Sequence, residues 1–403
     1  MSRYFFCTEL LISTTLLMQK LNCQKHLFDL DEGVAYLNCA YMSPLLRTVK
    51  EKGVEMITLK SRPYQIGLND FFNPVDEVKR LFAQLINCSD YRRVSIIPSA
   101  SYGIANAVKN IPISKGQNVV MPAEQFPSNY YSWKQKCDKT RAQVRIVPCP
   151  DAPSRTSAWN EAILNAIDSQ TVAVAISHTH WADGTVFDLK AIRKRCNEVG
   201  AFLVIDGTQS IGSFPYDQSQ IKADALIVAG YKTLLGPYSS GVAYYGNKFD
   251  NGTPIEDNWI NHEQSDDFAN LVNYQERYQE KAARYSVGES SNFILTGMLL
   301  TAIAQILEWT PEAIQAYCQS ITIEPLQAIS EMGFGVESLP ERASHLFGIR
   351  PSERFDFNRF NQICGEEKIH VSRRGNTIRV APHVYNTVED LWRLKEALQS
   401  VST

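Results

Sequence analysis

The sequence has no C-x-x-C pair, no G-x-G-x-x-G, no G-x-x-x-x-G-K-[ST] and no block of consecutive basic residues. The glycine motifs would be expected of a nucleotide-binding α/β protein, a reading that therefore lacks support. Forty basic residues against forty-three acidic leave a formal charge of −3, without the basic stripe that tracks a nucleic-acid backbone or an anionic membrane. Neither is expected as a partner. No apolar run is long enough to span a bilayer. Leu10 to Met18 is too short, Glu9 interrupts it, and no small-residue cleavage site follows. Residues 1–17 are therefore expected to be a disordered extension or a misassigned start, with Met18 as the alternative first residue. The nine cysteines are odd in number and scattered, which reads as reduced thiols in a cytoplasmic protein, most of them small buried side chains. His178 and His180 stand two apart with no third ligand at suitable spacing, so no metal is expected.

What is present is a chain of 403 residues, 44% hydrophobic and 21% charged, enough for two or three packed units. From about residue 93 short apolar runs alternate with helical patterns: RVSIIP, NVVMP, QVRIVP, TVAVAIS, AFLVID, ADALIVAG and GVAYYG. Alternation of this kind predicts an α/β fold. The near-continuous Val, Ile, Ala and Leu content predicts a mostly parallel sheet of seven strands covered on both faces. We read residues 18–44 as an N-terminal arm, 45–291 as a large domain and 292–403 as a connecting helix and a small C-terminal α+β domain. The polar stretch after Gly246 reads as a surface excursion.

Asp206 and Lys232 carry the chemistry. Asp206 ends the strand AFLVID, and Lys232 follows ADALIVAGY, at the carboxyl ends where open α/β sheets bind ligands. A pyridoxal-phosphate (PLP) enzyme needs both. The lysine forms a Schiff base with the cofactor aldehyde and then moves protons at the substrate α-carbon, while the carboxylate keeps the pyridine nitrogen protonated so that the ring draws electrons. Taken alone, Asp206 could equally be a strand-end cap, and a lysine after a strand is usually a surface amine.

The order of motifs decides. YLNCAYMSPL, SASYGIANAV, EQFPSNYYSW, DGTQS, GYKTLLGPYSSG and IRVAPHVYNTVEDL resemble successive motifs of the class V aminotransferases, which include cysteine desulfurases and kynureninase. The likeness spans roughly residues 34 to 400. It implies the fold-type I architecture of PLP enzymes, with residues 45–291 binding the cofactor. It implies Lys232 as the Schiff-base lysine, Asp206 as the pyridinium partner and Gln209 as donor to the phenolic oxygen. By resemblance Ala100 offers a backbone N–H and Ser101 a hydroxyl to the phosphate, at a helix N-terminus suited to an anion. Tyr231 resembles a second phosphate contact. Phe126 is the candidate to stack on the ring, a contact of the order of 1 kcal/mol. Trp181 stands where desulfurases carry an asparagine, and Arg379 resembles the arginine that grips the substrate α-carboxylate. The segment YSVGESSNF resembles one that lends a phosphate contact across a homodimer, with Ser290 the expected donor and Ser291 the alternative.

Phe126, Trp181 and Tyr231 resemble kynureninase more than the desulfurases. The loop SRRGN lacks the cysteine a desulfurase needs before Arg379. The expected activity is that of a PLP-dependent aminotransferase acting on a small amino acid through an external aldimine. Kynureninase-like cleavage or epimerisation is the alternative. Cysteine desulfuration and a non-catalytic binding protein rank lower.

Overall fold

A computed structural model describes residues 20–152 and 154–402 of the chain; the readings made for residues 1–17, and for Met18 as a start, lie outside them. After a two-residue strand, β1 (Ala35–Tyr36), come the seven expected strands: β2 (Val94–Ile97), β3 (Asn118–Pro122), β4 (Gln143–Val147), β5 (Thr171–Ser177), β6 (Phe202–Asp206), β7 (Ala225–Ala229) and β8 (Gly241–Tyr245). They form one sheet in the order β2-β8-β7-β6-β5-β3-β4. Strands β3 to β7 are parallel, and β8 runs antiparallel to both its neighbours, so β2 points the same way as the other five.

Both faces of this sheet are buried along the inner strands and β2, as their composition requires, whereas the edge strand β4 exposes Gln143 and Ile146. Along β6, Leu203 and Ile205 join one hydrophobic core and Val204 the other, which is the two-residue period of a strand read through the sheet. The helix Ala100–Asn110 lies close against it because residue 103 is glycine. A Cβ there would stand 2.9 Å from Ile227 Cγ2 and from Ile97 Cδ1.

The C-terminal region holds a second sheet, in the order β11 (Ser372–Arg374), β12 (Thr377–Val380), β9 (Phe347–Ile349), with the helices Pro311–Glu331, Phe357–Glu366 and Val388–Ser402 around it. Residues 369–374 serve two partners. β10 (Ile369–His370) pairs in parallel with β1, while β11 pairs antiparallel with β12. The N-terminal arm is thus tied to the small domain. The helix Phe293–Trp309 packs on helices Arg47–Lys60 and Leu68–Leu85. It ends at Thr310, whose hydroxyl accepts from Ala313 N to start the next helix at Pro311. No single described helix is long and apolar enough to cross a membrane; those two pass such a test only as a pair bent by 70°. The excursion after Gly246 is tied down by Glu256, which accepts from the Tyr102 hydroxyl and from Gly288 N.

Candidate active site

Six strands send their carboxyl ends to one edge of the sheet, and a cavity of about 250 Å³ opens there. Eight of the ten residues singled out in the sequence line it: Ala100, Ser101, Phe126, Trp181, Asp206, Gln209, Tyr231 and Lys232. Their convergence follows from register. Ser177 at the end of β5 pairs with Asp206 at the end of β6, and Asp206 with Ile227 of β7. Two residues after β7 ends, Tyr231 and Lys232 begin the turn that leads to β8. Gly230 makes that turn possible: its N–H donates to Ser240 O at 2.7 Å, and a Cβ would sit 2.6 Å from the same oxygen.

Lys232 and Asp206 are both buried. Burial penalises the ammonium and brings Lys232 down to about 8; Asp206 opposes this shift, whereas Arg379 and Arg374 reinforce it. Burial pushes the Asp206 carboxyl up, against the bonds from Thr208 and the charge of Lys232. Thr208 N donates to Asp206 Oδ1 at 3.0 Å. Lys232 Nζ lies 5.2 Å from the centre of the Phe126 ring.

At the other end of the cavity Ser99 caps the helix Ala100–Asn110, accepting from Tyr102 N at 3.3 Å, and its hydroxyl meets that of Ser101 at 2.9 Å. The first-turn N–H groups of this helix have no helical acceptors and face the cavity mouth with the positive end of the helix dipole. Phe126 and Trp181 meet edge to face at 5.4 Å. Trp181 is fixed by donation from its Nε1 to Glu124 O at 2.6 Å. Its loop is held from beneath by buried Asp183, which bonds His180 Nδ1 at 3.0 Å and accepts from Thr185 N at 3.1 Å.

Arg379, from β12, does not line the cavity itself but lies behind Trp181. It is 1% exposed and donates through Nη1 to Trp181 O and through Nε to Ser372 Oγ, both at 3.0 Å. Its Nη2 has no partner among the described residues. Ser290 is separate, lining a different cavity of about 560 Å³, and Ser291 lines a third. Sequence reasoning missed Ser177 and Gln125. Both line the cavity, and Ser177 Oγ, Gln125 Nε2 and Gln209 Oε1 are buried without partners among the described residues. The position of Ser177 at the end of TVAVAIS, beside Asp206, was the available signal. The nearby histidines have other partners. His178 packs on Phe214 and Tyr216, whereas His180 bonds Asp183, and no group of three or more candidate ligands occurs among the described residues.

These groups fit pyridoxal phosphate. The helix N-terminus suits its phosphate and Phe126 the face of its ring; Asp206 suits the ring nitrogen, Lys232 the aldehyde, and the unpartnered buried atoms its remaining polar edge.

Comparison with known proteins agrees. The profile of the family described as aminotransferase class-V matches residues 67–394. The chain is 26% identical over 315 residues to "uncharacterized aminotransferase YcbU" of Bacillus subtilis (strain 168), covering 77% of this chain and 79% of that protein. In structure it resembles the cysteine desulfurase CsdA from Escherichia coli, with a TM-score of 0.79 at 16% identity over 94% of this chain and 97% of that one. It also resembles a C-DES mutant with glycine covalently linked to its PLP cofactor, with a TM-score of 0.82 at 16% identity over 94% and 99% of the two chains. At such identity these two likenesses concern the fold, which is that of the fold-type I PLP enzymes. With the profile spanning most of its length, this chain belongs to the class V aminotransferase family.

Proposed function

We propose that this protein is a PLP-dependent aminotransferase that takes the amino group from a small amino acid and passes it to a 2-oxo acid. The observation that carries the reading is Lys232. It is buried at a strand end beside Asp206 and brought to about 8, so that about a tenth is neutral amine at pH 7, far more than in an ordinary lysine. When bound, PLP supplies a carbonyl for the amine and a conjugated ring that draws electrons from the substrate α-carbon. Lys232 moves the proton at that carbon. Asp206 holds a proton at the ring nitrogen, Phe126 fixes the ring plane, Ala100 and Ser101 anchor the phosphate, and Arg379 orients the α-carboxylate.

Thiol chemistry is disfavoured by the cysteines near the site. Cys39 feels the charge of Lys232, yet it is buried and its thiol is pushed up to about 12. Cys364 packs inside the small domain, also pushed up to about 12 by burial. A neutral thiol is a poor acceptor of sulfur. A kynureninase-like lyase is the second reading, favoured by the aromatic wall of Phe126 and Trp181. The test is a panel of amino acids with pyruvate or 2-oxoglutarate as acceptor, following cofactor absorbance and products. New amino and 2-oxo acids support transamination. Cleavage products or sulfide without a 2-oxo acid of the donor's skeleton overturn it.

We further propose a homodimer. Tyr238 lines the cavity yet is 61% exposed, and Ser290 lines a different cavity of its own chain, which is consistent with its serving a neighbour's phosphate. Sedimentation with bound cofactor checks this: a monomer that retains PLP tightly would contradict the shared site.

A further inference from the structure

The hairpin that carries Arg379 also carries two other arginines, and the register separates them. β11 and β12 pair Ser372 with Arg379, Arg373 with Ile378 and Arg374 with Thr377. Residues directly opposite, and those two apart, share a face of a sheet. Arg374, Ser372 and Arg379 therefore share one face, and Arg373 takes the other. The contacts agree. Arg374 Cζ lies 5.3 Å from the centre of the Trp181 ring and Arg379 Cζ 5.8 Å from it, so both guanidiniums bracket a residue that lines the cavity. Arg373 packs on Phe357 at 3.7 Å and donates to Gly375 O.

The two cations on the Trp181 side of the hairpin are poorly compensated. Arg374 donates to the backbone oxygen of Arg373, but its Nε, like Arg379 Nη2, is buried and unpartnered among the described residues. The groups that favour their charge are phenols rather than carboxylates, Tyr41 for Arg374 and Tyr36 for Arg379. Each guanidinium is disfavoured by burial, and Arg374 adds its charge against both Arg379 and Lys232. Two half-buried or buried cations within reach of each other, with no ion pair to a carboxylate among the described residues, suit a ligand with two negative groups. One α-carboxylate satisfies Arg379 and leaves Arg374 unanswered.

We propose that Arg374 selects amino acids that carry a second acidic group, with Arg379 holding the α-carboxylate and Arg374 the side-chain carboxylate. The inference rests on reading the cavity as an amino-acid site. It predicts that the matching 2-oxo acid product is also dianionic, so the enzyme would exchange acidic amino acids with acidic 2-oxo acids.

The experiment uses the holoenzyme and two readouts. Calorimetric titration compares glutarate and succinate with butyrate, which needs no turnover. Stopped-flow absorbance compares L-glutamate and L-aspartate with L-norvaline and L-alanine in the first half-reaction. The wild-type protein should prefer the diacid in both. Arg374→Gln should lower that preference about 10- to 100-fold, the range expected for losing a charge-assisted bond, while Arg373→Gln leaves it unchanged. Equal binding of diacid and monoacid by the wild-type protein, or an equal fall in both variants, overturns the proposal even if amino acids react. If no amino acid changes the cofactor spectrum but diacid binding still depends on Arg374, the acidic site stands and the aminotransferase reading falls.

Discussion

The site has two walls of opposite design, the sheet edge that lines the cavity and the hairpin that lies behind Trp181. On the large-domain wall, Lys232 and Asp206 come from neighbouring strand ends, and each favours the charge of the other. On the small-domain wall, Arg374 and Arg379 share one face of a hairpin, and Arg374 disfavours the charge of Arg379. The first pair is balanced by opposite charge. The second is frustrated until an anion arrives. This contrast assigns bond chemistry to the sheet edge and substrate choice to the hairpin, an allocation that mutation and pH can break.

The largest effect is expected at the sheet edge. Lys232→Ala should lower turnover by about 10³-fold or more, within the upper range for loss of a general acid–base group, and borohydride followed by peptide mapping should then label no lysine. Label on another lysine in the wild-type protein would remove Lys232 from the centre of the mechanism. Asp206→Ala should keep its fold by circular dichroism and lose most of its turnover; near-normal rates would remove the carboxylate. On the hairpin, Arg379→Ala should act chiefly through KM, raising it about 10- to 100-fold, because a charge-assisted pair is lost without touching the reacting carbon. If both walls change kcat equally, the division of labour is wrong.

A gentler probe is pH. Cofactor capture by the cofactor-free protein needs the neutral amine of Lys232. Because its folded value is lowered to about 8, the capture rate should rise with pH and level off above about 8, where an ordinary lysine would keep rising toward about 10.4. Arg379→Ala removes one of the charges that lower Lys232, so the plateau should move to higher pH. An unmoved profile in that variant would show that the walls are electrostatically independent.

The two walls also differed in how plainly the sequence announced them. The sheet edge is written in one dimension: apolar runs ending in Ser177, Asp206 and Ala229, and SxSxG opening a helix, are local signals with a local cause. The role of Ser177 and Gln125 was less visible, because a missing hydrogen-bond partner exists only in three dimensions. On the hairpin, Arg373 and Arg374 are adjacent and alike in the sequence. The signal that separates them was present in the two-residue turn Gly375-Asn376, with Gly375 at φ +55°. Glycine first in such a turn is a hairpin signature, and it fixes the pairing of 374 with 377 and 372 with 379. The joining of the arm to the small domain rests on β1 and β10, two residues each, too short for any periodicity. Burial of Cys39 and convergence of distant histidines likewise depend on tertiary packing alone.

Those histidines fill the seam between the walls and give the smallest effect. His345 Nε2 donates to Gln209 O at 2.7 Å and its Nδ1 accepts from Gln315 Nε2 at 2.7 Å; Gln315 also donates to Ser213 O. His383 Nε2 meets Ser213 Oγ at 2.9 Å, and His178 packs on Phe214. Burial lowers His345 and His178 to about 4 and His383 to about 3. Each is neutral in the folded chain and charged when unfolded below about 6.5, so the unfolded state binds more protons in that window. Stability should therefore be intact above about pH 6.5 and fall as pH drops toward 4, with each histidine adding about 1.4 kcal/mol per pH unit to the slope. Denaturant titrations between pH 7 and 4.5 read this directly. His383→Asn should flatten the slope by about one histidine's share, whatever it costs at pH 7, because the intercept and the slope are separate measurements. An unchanged slope would mean that His383 already carries its proton in the folded protein, and that the seam between the two walls is wetter than its packing indicates.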